Sequence, residues 1–101
     1  MVIVYMKYAY IIPGFMENAS TRKAYKQIAN LFRKKGYTPI IPKITWKQRV
    51  MSDYIKEFNS QLKENVSESI FLGFSFGAFI AFVSASHNNP KNLILFTLTL
   101  L

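Results

Sequence analysis

Four short apolar runs alternate along this chain with three segments whose apolar residues recur at helical spacing, and few architectures accommodate that rhythm. Strand-helix alternation places strands side by side in a mostly parallel sheet and stacks the helices on its two faces. The first run, Tyr8 to Ile12, is aromatic and β-branched, stops at Pro13-Gly14 and has apolar sequence before it back to Val2. Ser20 or Thr21 can cap a helix reaching about Lys35, with Ala24, Tyr25, Ile28, Leu31 and Phe32 on one face and Gly36 as its stop. Tyr37 to Ile41 contains Pro39 and is followed by Pro42, which suits an edge strand. A polar connection from Lys43 to Met51 carries the only tryptophan, Trp46. Ser52 can cap a second helix with Tyr54, Ile55, Phe58 and Leu62 as its buried stripe. Ser69 to Phe74 reads as the third strand, Phe76 to about His87 as the third helix, and Asn92 to Leu101 as the last strand. The expected fold is one three-layer α/β domain over residues 1–101, with about four strands and three helices.

Composition narrows the possible functions. Half of the residues are hydrophobic and 16% are aromatic, which is globular rather than disordered chemistry. There is no cysteine, so disulfides, thiolate metal sites and a cysteine nucleophile are excluded, in keeping with a cytoplasmic location. The formal charge of +8 is scattered over Arg22, Lys23, Lys26, Arg33, Lys34, Lys35, Lys43, Lys47, Arg49 and others. Arg33, Lys34 and Lys35 fall where a helix ends, and cations suit that end of the dipole. No aromatic-and-basic recognition motif accompanies them, so a solvated surface is expected rather than a nucleic-acid partner. No cluster has metal-ligand composition, and no cofactor is expected. Lys7 interrupts the first apolar run, which therefore does not read as a signal peptide.

One segment carries chemistry. Ser69-Ile-Phe-Leu-Gly73-Phe-Ser75-Phe-Gly77-Ala78 matches G-x-S-x-G between a strand and a helix, the context in which that pattern has mechanical meaning. A tight turn there lifts the Ser75 hydroxyl from the carboxyl end of the strand, and glycines at 73 and 77 avoid clashes with neighbouring chain. The Phe76 N–H points into the same space, where it can hold a developing oxyanion. Pro13-Gly14-Phe15 follows the first strand, and Gly14 allows a sharp turn there. In a doubly wound sheet the ligand crevice lies where strand order reverses. If the second strand lies outside the first and the third on its other side, both segments meet at that crevice.

This combination resembles the α/β-hydrolase superfamily of serine hydrolases, especially compact members without its first two strands. The resemblance spans the chain and corresponds to the N-terminal half of a family domain. It implies Ser75 as nucleophile, the backbone N–H groups of Phe15 and Phe76 as the oxyanion hole, and hydrolysis of a small-molecule carboxylic ester or thioester through an acyl-serine. Pro13 stands where many relatives carry histidine. The family's acid and histidine follow later strands and have no counterpart here, so the chain by itself is expected to be weak or inactive. Gly14, Phe74 and Trp46 are expected to line the substrate crevice, with Phe15, Phe76 and Phe79 adding apolar surface. The uncovered last strand, 93–101, is expected to favour self-association.

His87, the only histidine, lies 12 residues beyond Ser75 at the far end of the same helix. That is ~18 Å at helical rise, too far for a general base. Asp53 suits a helix start, and Glu17, near the expected oxyanion loop, reads as a solvent-facing loop acid rather than a substrate contact. A non-catalytic interaction module on the same fold is one alternative. A membrane span is another, because Ser69 to Ser86 holds 18 uncharged residues and Gly73 and Gly77 form G-x-x-x-G. Two glycines and four serines dilute that run, so no membrane partner is expected. A nucleotide site is disfavoured by the lack of G-x-G-x-x-G and of a P-loop lysine.

Overall fold

The computed structural model describes residues 6–15, 17–19, 22–47 and 50–96. It has β1 (Tyr8–Ile12), α1 (Lys23–Lys34), β2 (Thr38–Ile40), α2 (Met51–Asn59), a 3₁₀ turn (Val66–Glu68), β3 (Ile70–Phe74), α3 (Phe76–Asn88) and β4 (Asn92–Phe96). The four strands form one sheet in the order β2-β1-β3-β4 and all neighbours are parallel. Helix α1 covers one face and α2 with α3 the other, the α/β architecture anticipated from the alternation.

Strand parity builds the two cores. Tyr8, Tyr10, Ile12 and Phe71 face α2 and α3, where they meet Tyr54, Phe58, Ile80 and Ala81. Ile11 and Leu72 face α1, where they meet Tyr25 and Ala29. Tyr10, Phe58 and Phe71 are fully buried and pack edge to face, with ring centroids 5.2–5.8 Å apart. Burial of one such ring contributes about 2–3 kcal/mol. The Tyr10 hydroxyl is satisfied by the Lys63 N–H at 2.7 Å, and burial raises its pKa.

Helix boundaries differ from the sequence reading. Helix α1 begins after Arg22, whose side chain makes no cap bond; Ser20 and Thr21 lie outside the described residues. Its buried and half-buried stripe is Tyr25, Ile28, Ala29 and Phe32, while Ala24 and Leu31 are exposed. Its end follows the expected chemistry: Gly36 takes φ +89°, Gly36 N–H bonds to the Arg33 carbonyl and Tyr37 N–H to that of Phe32. Helix α2 starts one residue before Ser52, which is therefore inside the helix. Asp53 serves the start instead, its carboxylate accepting from the Val50 N–H at 3.2 Å.

Pro39 sits in β2, at the sheet edge, where its missing N–H leaves the ladder intact. At the opposite edge all five residues of β4 are exposed, and no described strand pairs with its outer side. The proposed extensions of the first strand to Val2 and of the last to Leu101 lie outside the described residues, apart from Met6 and Lys7, which are not strand. Residues 69–86 are a strand, a turn and a helix rather than one span, which overturns the single-span alternative. No helix among the described residues is long and apolar enough to cross a membrane.

Candidate functional site

Ser75 occupies the single residue between β3 and α3 with φ 53° and ψ −117°. Asn65 and Asn89 also have positive φ, but their ψ values of 41° and 61° place them in the left-handed helical basin that asparagine tolerates. Serine in its own strained conformation costs of order 1–3 kcal/mol, so surrounding contacts must hold it there. Several do. The Ser75 N–H donates to the Phe96 carbonyl at the end of β4, at 2.7 Å, and the Ala78 N–H donates to the Ser75 carbonyl at 2.9 Å. The side chain is left exposed at the helix N-terminus.

The two glycines of the motif are sites of backbone contact. A Cβ on Gly73 would lie 2.5 Å from the Gly77 carbonyl oxygen and 2.7 Å from the Ala78 Cα. A Cβ on Gly77 would lie 2.3 Å from the Pro13 carbonyl oxygen and 2.5 Å from that of Ile12. Gly77 thus seats the first turn of α3 against the end of β1 and brings Ser75 alongside the Pro13-Gly14-Phe15 turn. This is the point where strand order reverses, between β1 and β3.

That turn is held from the α1 side. The Glu17 N–H closes it on the Gly14 carbonyl at 3.2 Å. The Gly14 N–H is shared between the Tyr25 hydroxyl at 3.3 Å and the Glu17 carboxylate at 3.4 Å. Tyr25 also donates its hydroxyl proton to Glu17, and Arg22 pairs with Glu17 at 2.9 Å. Burial first, and the hydrogen bond to Glu17 second, push the Tyr25 phenol up to about 12. Glu17 is therefore a half-buried member of a polar cluster, not the solvent-facing acid the sequence suggested.

Aromatic rings wall the α2/α3 side of the crevice. Phe15 lies 5.2 Å from Trp46 and 5.7 Å from Phe76, and Trp46 lies 5.7 Å from Phe76. Tyr54 completes the group beneath Trp46, and Phe79 stands next to Phe76 at 6.4 Å. The loop bearing Trp46 is fixed to α2 and the residues just after it. Gln61 bonds both the N–H and the carbonyl of Lys43 at 2.8 Å, and the Glu57 carboxylate accepts from the N–H and hydroxyl of Thr45 at 2.6 and 2.7 Å. The Tyr54 hydroxyl donates to the Lys47 carbonyl. Sequence reasoning found Tyr54 as core but missed Glu57 on α2 and Gln61 just beyond its end.

Ser75, Gly14, Phe15, Trp46 and Phe76 are thus brought to one rim. Phe74 is not with them. Its ring lies on the α1 face, stacked on Phe96 at 5.0 Å and edge-on to Tyr25 at 5.3 Å. His87 is exposed in the last turn of α3, at the opposite end of the helix from Ser75. Among the described residues no side chain hydrogen-bonds the Ser75 hydroxyl, and no three His, Cys, Asp or Glu side chains gather as metal ligands. In comparisons with protein-family models, curated proteins and solved structures, the chain matches none.

Proposed function

We propose that this chain carries the nucleophile and oxyanion-binding half of a serine hydrolase of the α/β-hydrolase kind. Ser75, giving its proton to solvent, attacks the carbonyl of an ester or thioester, and the Phe15 and Phe76 N–H groups receive the oxyanion. The leaving alcohol or thiol departs protonated by solvent from an acyl-serine that water then cleaves to the free acid and Ser75. The observation that carries the reading is the backbone of Ser75, strained between a strand and a helix, with motif glycines that have no room for a Cβ. The aromatic wall of Phe15, Trp46 and Phe76 favours apolar acyl or alcohol groups. The described residues bring no imidazole to Ser75, so the serine acts here without its usual general base, and reaction is slow.

An alkyl fluorophosphonate tests this. Slow labelling confined to Ser75 is expected, abolished in Ser75→Ala. Its rate should climb through the neutral pH range without the plateau that a titrating histidine imposes. Labelling that survives Ser75→Ala rejects the nucleophile. A chain that stays unlabelled at alkaline pH is a non-catalytic module on this fold.

A further inference from the structure

The Gly14–Glu17 turn is braced by groups with no other evident task. In a turn closed by the Glu17 N–H on the Gly14 carbonyl, the N–H of the second residue, Phe15, takes no part in the closure. No described group accepts from it. The adjoining Gly14 N–H is the one that Tyr25 and Glu17 engage, on the α1 side. Tyr25 is 6% exposed and its ring is wedged against Phe74, so its hydroxyl has one place to be. Glu17 is the difficult member, since a carboxylate next to an oxyanion site opposes the charge that develops there. Arg22, at 2.9 Å, offsets that charge.

We infer that Tyr25, Glu17 and Arg22 form a clamp that positions the Phe15 N–H for the oxyanion, making them positioning residues rather than contacts to substrate. The inference rests on the Ser75 reading above. The clamp holds the Gly14 N–H on the α1 side and leaves the next N–H without a described acceptor. A mobile turn has to be ordered in each transition state; a clamped one is already oriented.

Fluorophosphonate kinetics test the clamp, with the bimolecular reaction resolved into reversible affinity and a first-order inactivation constant. Tyr25→Phe keeps the ring and its packing and removes only the hydroxyl, so it keeps the fold. It is expected to lower the inactivation constant about tenfold, the loss of one oriented hydrogen bond, with affinity unchanged. Glu17→Ala is expected to do the same, and Glu17→Gln, which keeps an acceptor for Gly14, to recover most of the loss. A merely structural role lowers the labelled fraction through unfolding and leaves the rate constant of the folded molecules alone. Wild-type rate constants in Tyr25→Phe, with Ser75 still labelled, overturn the clamp and leave the nucleophile standing. A wild-type chain unlabelled at Ser75 removes both.

Discussion

A methyl group added at Gly77 is expected to cost about 3 kcal/mol or more, a large share of the stability of a domain this size. The atoms it would strike are the Pro13 and Ile12 carbonyl oxygens, 2.3 and 2.5 Å from the added carbon. Both are backbone at the end of a central strand whose five residues are all buried, so neither can move aside cheaply. Gly73→Ala meets the backbone of Gly77 and Ala78 instead and should be comparably damaging. Gly36→Ala is the control: nothing lies within 4 Å of its added carbon, and only its φ of +89° opposes the change. That strain costs about 1 kcal/mol. Urea melts of the three variants give the comparison. A Gly77→Ala midpoint equal to that of wild type means that α3 does not sit on β1 as described.

The second large effect is self-association. We propose that a second copy of the chain covers β4. Leu93, Ile94, Leu95 and Phe96 are 37–53% exposed on a strand with no described outer neighbour. On the α1 side Ile94 and Phe96 border a groove of about 490 Å³, lined by Leu31, Phe32, Leu72 and Phe74 with Lys35 at its margin. A strand edge is completed by another strand, and an identical edge related by a two-fold axis supplies one that pairs antiparallel. The net charge of +8 opposes the approach of two copies, so association should strengthen as salt screens the repulsion. Sedimentation should show dimers or larger species that Ile94→Lys disperses. A monodisperse monomer at high concentration and high salt contradicts the proposal.

The fold was legible because its signals are local. Aromatic and β-branched runs, the Gly36 stop and Pro39 at an edge each act within a few residues, and the structure keeps all of them. The Ser75 turn was legible for the same reason, since both glycines lie within two residues of the serine they accommodate. Phe74 was misplaced through parity. It follows Phe71 by three residues and so faces the opposite side of the sheet, away from Trp46. The Glu17–Tyr25 and Glu57–Thr45 contacts join a loop to a helix 8 and 12 residues away, and nothing in either segment marks the other as its partner. The start of α2 escaped because Ser52 resembles a cap, whereas Asp53 satisfies the terminal N–H from inside the helix.

The proposed arrangement of one hydroxyl between two amides is tested most directly by amide proton shifts in the Ser75 phosphonate adduct, whose oxygen would occupy the proposed oxyanion position. The amide protons of Phe15 and Phe76 should both move downfield on adduct formation, while those of Asn65 and Asn89, in distant turns, stay where they were. An adduct on Ser75 that leaves the Phe15 amide unmoved contradicts the account.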